Sequence, residues 1–198
     1  MKKIASQQFQ LKDGTEITVR SMKEDDLDLS FEFFKSLDEH ERIYLRKDVT
    51  KKENVRNRIE QMKTGMVRRI VATCKGKIIA DGALELSGPG WEAHIGEMRI
   101  IVADKFQRKG LGMIIARELY FIAAAERIEE IVIRMMRTQT AATKIFRKLG
   151  FHEEIMLPDH VKDLNGKNQD LVIMRCNMKE LWKEMESFFK ISDMRVHR

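Results

Sequence analysis

Short stretches in which apolar and polar residues alternate predict strands in several parts of this chain. Residues 9–20 hold two such stretches around Asp13-Gly14, and this dipeptide indicates a hairpin or a turn that leads into a strand. Residues 67–72 and 77–80 are rich in apolar residues and flank Lys75-Gly76. We therefore predict an antiparallel pair of strands joined by a tight turn at that point.

Apolar residues at helical spacing predict two helices between these strands. Ser21-x-x-Glu24 and Thr50-x-x-Glu53 each have the form of a capping box, in which two side chains satisfy backbone donors at a helix start. The apolar positions that follow the two boxes lie on one helical face in each case, and they are Leu27, Phe31, Phe34, Val55, Ile59 and Met62. We therefore expect helices that begin at these boxes.

The central part of the chain predicts a strand, a helix, a strand and a helix in that order. Residues 95–103 have the composition of a strand, helical periodicity begins after Gly112, and residues 129–134 form a short β-branched stretch. A second helix over residues 138–149 ends at Gly150, where a left-handed cap residue belongs. Strands that are joined by a crossover helix run parallel, so this order predicts a parallel pair.

Further strands are predicted at residues 155–157 and 170–175, separated by a turn. The whole pattern predicts an α/β fold with a mixed sheet of about seven strands and helices on both faces. We expect one domain over residues 1–176, followed by an amphipathic helix and a tail over residues 177–198. The apolar stripe of that helix consists of Met178, Leu181, Trp182, Met185, Phe188 and Phe189. This stripe must cover either the sheet of its own domain or a second copy of the chain, so a homodimer is an open alternative.

The chain has 198 residues and a formal net charge of +6, and 43% of its residues are hydrophobic. These values are typical of a globular protein and favour an anionic partner, which nucleic acid, a membrane surface and a phosphate-bearing cofactor would all satisfy. No apolar run is long enough to span a bilayer, and Cys74 and Cys176 lie outside any metal or redox spacing. The five histidines have no metal-ligand spacing either. We therefore expect a cytoplasmic protein without a metal, a membrane partner or a disulfide.

Residues 107–112, Gln-Arg-Lys-Gly-Leu-Gly, lie between the predicted central strand and the helix that follows it. Gly110 and Gly112 allow the backbone to approach a ligand closely, and the free N–H groups at a helix start form an anion site. Arg108 and Lys109 add positive charge at the same place. The segment is neither a Walker A loop nor a dinucleotide fingerprint. Taken alone, it predicts either a phosphate site or only a tight connection.

This segment and its surroundings resemble the GNAT superfamily of acyl-CoA-dependent N-acyltransferases. The pyrophosphate loop of that superfamily, Gln/Arg-x-x-Gly-x-Gly/Ala, matches residues 107–112. Residues 96–102 resemble the preceding strand, and residues 142–151 resemble the later helix with its Leu-Gly-Phe end. The resemblance covers residues 9–176 and is most specific over residues 97–151.

The resemblance implies a mostly antiparallel sheet with a central splayed parallel pair, and acyl-CoA bound between the two splayed strands. The pyrophosphate would rest on the backbone amides of the loop, and the pantetheine would pair with the backbone of the central strand. A strand N–H near Ile101 or Val102 would polarise the thioester carbonyl. The cofactor-binding residues that the resemblance implies are Ile100, Ile101, Val102, Gln107, Arg108, Lys109, Gly110, Leu111, Gly112 and Met113.

Glu97 stands where many members of the superfamily carry a general base, in the strand that precedes Gln107. It would take a proton from the acceptor amine directly or through water. The alternative is a solvated carboxylate or an ion-pair partner of Arg99 or of a nearby lysine. Phe146 occupies the position where many members have a tyrosine that protonates the leaving thiolate. The thiolate then leaves unassisted, or another residue such as Tyr120 serves as the acid.

The function that the resemblance implies is transfer of an acetyl group from acetyl-CoA to a primary amine by direct attack. The acceptor would be a small molecule, a protein lysine or a protein N-terminus, and the sequence does not choose among them. A degenerate domain that binds acyl-CoA as a sensor or interaction module is the alternative. A nucleic-acid binder is disfavoured, because only 7% of the residues are aromatic and none form an array with basic residues.

Overall fold

The computed structural model describes residues 5–181 of the chain. Within this range the sheet has eight strands, which are β1 (Gln7–Gln10), β2 (Glu16–Ser21), β3 (Val67–Cys74), β4 (Lys77–Leu86), β5 (Ile95–Val102), β6 (Glu130–Met136), β7 (His152–Lys162) and β8 (Asn168–Asn177). In the same range the α-helices are α1 (Leu27–Ser36), α2 (Glu39–Arg42), α3 (Lys52–Glu60), α4 (Leu111–Ala125) and α5 (Thr140–Lys148). Residues 178–181 are also helical, and the rest of the predicted amphipathic helix lies outside the described residues.

The strands lie in the order β1-β2-β3-β4-β5-β6-β8-β7, and every neighbouring pair in this described sheet is antiparallel except β5 and β6. The predicted mixed, mostly antiparallel sheet with a central parallel pair is therefore confirmed. The described sheet has eight strands where about seven are predicted. The first arm of the N-terminal hairpin accounts for the difference, because Gln7 to Gln10 pair with β2 along their whole length.

The parallel pair opens after its first residues. β5 and β6 are paired from Ile95 with Glu130 to Glu97 with Val132, and the ladder ends there although both strands continue. Beyond that point β5 stays paired with β4, and β6 stays paired with β8. The expected splay is therefore confirmed. We call the opening between the diverging strands the cleft, and Glu97 lies at its closed end.

Two hydrophobic clusters cover opposite faces of the sheet. α4 and α5 contribute to one cluster, with residues such as Leu119, and α1 and α3 contribute to the other, with residues such as Phe34. Successive strand residues join different clusters, because Ile70 belongs to the first and Val71 to the second. The predicted helices on both faces are therefore confirmed.

α4 packs closely on the middle of β4 at Gly82. A Cβ atom at Gly82 would come within 2.6 Å of Ile115 Cγ2 and within 3.2 Å of Leu119 Cδ1. Only a residue without a side chain permits this contact without a shift of the helix. The contact fixes the first half of α4, and with it the loop that precedes the helix, against the sheet.

Both predicted capping boxes are wrong, although the helices that they were expected to begin are present. Before α1, the backbone N–H of Lys23 donates to Asp26 Oδ2 at 2.8 Å, and a 3₁₀ turn precedes the helix. At α3 the cap residue is Lys51. The Thr50 hydroxyl donates to the Asp48 carboxylate and accepts no hydrogen bond from the helix. In both places an aspartate takes the polar contacts that the box would have used.

Candidate active site

The loop between β5 and α4 carries the predicted phosphate site. β5 ends at Val102, a 3₁₀ turn follows at Asp104–Phe106, and α4 begins at Leu111. Two residues of the loop have left-handed backbone conformations, Arg108 with φ 57° and Gly110 with φ 89°. Left-handed residues in such a turn direct successive N–H groups into one concave surface, which favours binding of an anion.

The backbone amides of residues 108–112 donate to no acceptor within residues 5–181. These donors lie at the start of a 15-residue helix, where the helix dipole adds partial positive charge. Unpaired donors at a helix start form an anion site without help from side chains. The loop therefore has the backbone arrangement that a pyrophosphate group requires.

The turn between β1 and β2 holds this loop from the opposite side. The Lys12 N–H donates to the Lys109 carbonyl at 3.1 Å, and Lys109 Nζ lies 2.8 Å from Asp13 Oδ2. The hydrogen bond from Lys109 lowers the pKa of Asp13 to about 2, so the pair stays charged at neutral pH. Lys109 thus anchors the loop, whereas Arg108 is exposed and makes no ion pair within the described range.

Gln107 joins the loop to β5 and to α2. Its side-chain amide donates to the Val102 carbonyl at 3.0 Å and to Glu41 Oε1 at 2.8 Å. Burial raises the pKa of Glu41. The Gln107 side chain therefore fixes the position of the loop, and the ligand contacts expected of this segment fall to its backbone.

Ile100, Ile101 and Val102 border the cleft with one edge of their backbone. The other edge pairs with residues 80–82 of β4. Within the described sheet no strand pairs with the cleft edge, because the ladder with β6 ends at Glu97. The Ala103 N–H donates to the Ile79 carbonyl, so alternation along β5 directs the N–H of Ile101 toward β4 and those of Ile100 and Val102 toward the cleft. Ile100 and Val102 therefore present backbone groups to a ligand in the cleft, which fits the expected pairing with pantetheine.

Glu97 lies at the closed end of the cleft with its side chain 16% exposed. One carboxylate oxygen pairs with Arg46 and lies 3.7 Å from Arg99 Nε. The other oxygen lies 3.5 Å from Arg134 Nη1. Of the two roles expected for Glu97, the structure shows the ion pair with Arg99 and adds two further arginines. The role as general base stays a prediction.

Further ionic contacts extend from Arg99 toward α3. Arg99 donates to Glu85 Oε2 at 2.6 Å, and Asp81 Oδ1 accepts from Arg69 at 2.7 Å and from Arg58 at 2.9 Å. We call the following five residues the arginine cluster: Arg46, Arg58, Arg69, Arg99 and Arg134. Three carboxylates, those of Glu97, Glu85 and Asp81, face these five guanidinium groups, so positive charge is in excess.

The pKa values of two members of the arginine cluster are lowered. Burial lowers the pKa of Arg58 to about 10, an effect that Asp81 opposes and that Arg69 and Arg99 increase. Burial is also the largest cause of the lowered pKa of Arg99, and the charge of Arg46 is the next. Both groups remain protonated at neutral pH, so the cluster holds like charges in close contact. An added anion would relieve that repulsion.

The sequence pointed to Glu97 and Arg99 but not to the other four members of the arginine cluster, Arg46, Arg58, Arg69 and Arg134. Residues two apart in a strand share a face, so the pairing of Glu97 with Arg99 was open to prediction. The register of the parallel strands would also have brought Arg134 beside Glu97. Arg46 and Arg58 come from a loop and from a helix, and no local motif connects them with β5.

Phe146 and Tyr120 both lie in the hydrophobic core beside α4 and α5. The Phe146 ring packs edge-on against Phe151, with the ring centroids 5.5 Å apart. The Tyr120 hydroxyl donates to the Leu149 carbonyl at 2.9 Å, and burial raises the pKa of Tyr120. Tyr120 therefore serves a structural role, and the suggestion that it protonates the leaving thiolate is wrong because its proton is held in the core.

Among residues 5–181, no group of three or more His, Cys, Asp or Glu side chains is placed to hold a metal ion. No helix in the described part of the chain is long and apolar enough to cross a membrane. Neither Cys74 nor Cys176 forms a disulfide within residues 5–181; Cys176 is buried and Cys74 is partly exposed.

Residues 67–153 match a protein-family model that is described as an acetyltransferase (GNAT) domain. The matched range begins with β3 and ends in β7, so it contains the cleft, the loop before α4 and Glu97. No curated protein matches the chain.

The fold is similar to those of several solved acetyltransferases. The ribosomal-protein-S5-alanine acetyltransferase from Vibrio fischeri matches with a TM-score of 0.74 and 18% identity, over 88% of this chain and 97% of that chain. The ribosomal-protein-alanine N-acetyltransferase from Brucella melitensis matches with a TM-score of 0.69 and 19% identity, over 80% and 98%. The yncA protein from Salmonella typhimurium, solved with its cofactor acetyl-CoA, matches with a TM-score of 0.69 and 17% identity, over 82% and 94%. At these identities the similarity is one of fold.

Proposed function

Because this chain belongs to the GNAT superfamily of acyltransferases, we propose that it transfers an acetyl group from acetyl-CoA to a primary amine. The amine attacks the thioester directly, without an acyl-enzyme intermediate. The acceptor is a small molecule, a protein lysine or a protein N-terminus. The observation that carries the proposal is the row of unpaired backbone amides at residues 108–112, placed at the open end of the splayed strands.

The cofactor half of the proposal rests on backbone groups. The amides of residues 108–112 would hold the pyrophosphate of acetyl-CoA, and exposed Arg108 would add a positive charge. The open backbone edge at residues 100–102 would pair with the pantetheine. The N–H of Val102 would then donate to the thioester oxygen, because that of Ile101 faces β4. Such a donor is worth roughly 3 kcal/mol of barrier.

The acceptor half of the proposal requires loss of a proton, because an ammonium group has no lone pair. Glu97 takes this proton directly or through a water molecule. The amine nitrogen then bonds to the thioester carbon, the carbon–sulfur bond breaks, and the nitrogen loses its second proton to solvent. CoA leaves as a thiolate that takes a proton from solvent. A thiol pKa near 8.5 makes the thiolate a tolerable leaving group without an acid. This route agrees with a buried Phe146 and with the engaged hydroxyl of Tyr120.

A second candidate function is binding of acyl-CoA without turnover, as a sensor or interaction module. The absence of a free tyrosine hydroxyl near α5, among the described residues, favours this alternative. Both candidates predict the same binding of acyl-CoA, so only the fate of the thioester distinguishes them.

Calorimetric titration with acetyl-CoA, followed by a thiol-release assay with a panel of primary amines, tests the proposal. We expect saturable binding and release of free CoA only when an amine is present. Tight binding without amine-dependent release would favour the binding module instead. No heat at millimolar acetyl-CoA would contradict both functions.

A further inference from the structure

Arg46 and Arg134 differ from the rest of the arginine cluster in their exposure and their position. Their side chains are 40% and 51% exposed, whereas Arg58 and Arg69 are largely buried beside Asp81. Arg46 follows α2 and Arg134 lies on β6, so the two reach Glu97 from different elements. They also pair with different oxygens of its carboxylate. A ligand at the closed end of the cleft has access to both guanidinium groups.

The two exposed arginines retain hydrogen-bond donors that the protein does not use. A guanidinium group has five N–H donors, and within residues 5–181 Glu97 is the only anionic partner of either Arg46 or Arg134. Arg99 shares the same carboxylate and also pairs with Glu85, so two negative charges serve three positive ones. A second carboxylate would match the planar fork of these groups and would offset the excess charge.

The arginine cluster is separate from the phosphate site of the loop. Ile100 and Val102 pack against the cluster of α4, whereas Ile101 packs against the cluster of α1 and α3. Alternation along β5 therefore puts Glu97 and Arg99 on the face of α1 and α3. The loop amides begin α4, which covers the opposite face. The phosphates of CoA at the loop would therefore not reach the exposed arginines Arg46 and Arg134.

We propose that the amine acceptor carries a carboxylate close to its amino group. The carboxylate binds Arg46 and Arg134, and the ammonium group faces Glu97 between them. This inference rests on the proposed acetyltransferase function and narrows its substrate class. The acceptor is a free amino acid, or a peptide in which an acidic side chain lies next to the reacting amine.

The same arrangement gives the acceptor a part in its own deprotonation. In the described structure both oxygens of Glu97 are engaged by guanidinium groups. An acceptor carboxylate that binds Arg46 and Arg134 in place of Glu97 frees the oxygen that faces Arg134 to receive the ammonium proton, while Arg99 stays beside the other oxygen. The first proton passes from nitrogen to Glu97 and then to solvent, and the nitrogen bonds to the thioester carbon. The carbon–sulfur bond breaks, the nitrogen releases its second proton to solvent, and CoA leaves as a thiolate. No other reactant is needed.

Pairs of acceptors that differ only in a carboxylate or a carboxamide test the inference. One arm compares free amino acids with their α-amides, and a second arm compares peptides that have Asp or Asn after an N-terminal alanine. We expect kcat/KM with acetyl-CoA to be at least about 10-fold higher for the carboxylate member in one of the two arms. The arm that shows the preference identifies the source of the carboxylate.

Variants of the two arginines establish where the carboxylate binds. Arg134→Gln and Arg46→Gln should each raise KM for the carboxylate acceptor about 10-fold, change KM for the carboxamide acceptor less, and leave KM for acetyl-CoA unchanged. Arg134→Lys keeps the charge and should recover part of the loss. Arg147→Gln is the matched control, because Arg147 is an exposed arginine on α5 with one carboxylate partner, Glu153. It should change neither constant.

Equal rates for both members of every pair would overturn the inference while the acetyltransferase function stands. A preference that persists in Arg134→Gln and in Arg46→Gln would also overturn it. If amines are not acetylated at all, calorimetric titration of the CoA-saturated protein with the same pairs decides the matter, since tighter binding of the carboxylate member still supports the site and equal binding contradicts it. Failure of acetyl-CoA itself to bind is a separate result that contradicts only the proposed function.

Discussion

The two halves of the candidate site, the loop before α4 and the arginine cluster, use different chemical groups. The loop at residues 108–112 presents consecutive backbone amides, and its shape depends on two left-handed residues. The arginine cluster presents side chains that come from α3, β3, β5, β6 and the loop after α2. The first half therefore depends on backbone conformation, whereas the second depends on the identity and charge of each residue.

This difference predicts how each half responds to substitution. A backbone site tolerates exchange of most side chains but fails when the conformation changes or when a repelling group enters the concave surface. A side-chain site loses a defined fraction of its binding with each charge that is removed. Cofactor binding and acceptor binding should therefore be separable by substitution.

The largest effect is expected at Gly110, where conformation and charge act together. Gly110→Asp should lower the affinity for acetyl-CoA at least about 1000-fold, because it adds a carboxylate to the loop that would hold the pyrophosphate, and like charges brought together cost several kcal/mol. The left-handed φ of 89° adds the strain of a side chain in that conformation. The measurement is a calorimetric titration of the folded variant with acetyl-CoA.

Gly65→Asp is the control for this substitution. Gly65 has a similar left-handed φ of 73° and free space around its Cβ position, but it precedes β3 at the opposite end of the sheet from the loop. It should lose a comparable amount of folding stability and keep its affinity for acetyl-CoA. Retained affinity in Gly110→Asp would contradict the assignment of the phosphate site.

The next largest effect is expected in the side-chain half, at Asp81. Its carboxylate is 3% exposed and accepts hydrogen bonds from Arg58 and Arg69, which are themselves largely buried. Asp81→Asn leaves two guanidinium groups without their counter-charge, and removal of one partner from a buried pair costs roughly 3 kcal/mol or more. Urea unfolding measures the loss, and acetyl-CoA affinity of the folded variant should stay the same.

Glu153→Gln provides the matched comparison, because Glu153 pairs with the exposed Arg147 on the surface. That change should alter the free energy of unfolding by less than about 0.5 kcal/mol. An equally small loss in Asp81→Asn would mean that the excess charge of the arginine cluster is not stabilised by its carboxylates. The argument for a second anion in the cleft would then lose its basis.

The backbone half could be predicted from the sequence because it is local. Six consecutive residues between a strand and a helix specify the loop, and Gly110 marks the position that needs a positive φ. The parallel pair also followed from local signals, since the order of strand and helix determines the direction of the strands. These are the parts of the fold in which short-range sequence determines structure.

The side-chain half could not be predicted in the same way. Arg46 and Arg134 are far apart in the chain and meet at Glu97 only because the sheet brings β6 beside β5 and the loop after α2 over the cleft. The capping boxes failed for a related reason, because nearby aspartates such as Asp26 and Asp48 compete for the same polar groups. Competition among possible partners is decided by packing, which a single motif does not describe.

Glu97 lies where the two halves meet, and its replacement should have the smallest effect of the three. Glu97→Gln should lower kcat/KM on the order of 10-fold at neutral pH and less at alkaline pH, because an amine that is already deprotonated needs no base. Glu85→Gln is the control, because Glu85 lies directly opposite Glu97 in β4 and is also an ion-pair partner of Arg99. It removes the same charge and should change the rate equally at all pH values. A pH-independent loss of the same size in both variants would show that Glu97 acts only through its ion pairs, and the closed end of the cleft would then be a binding site without a base.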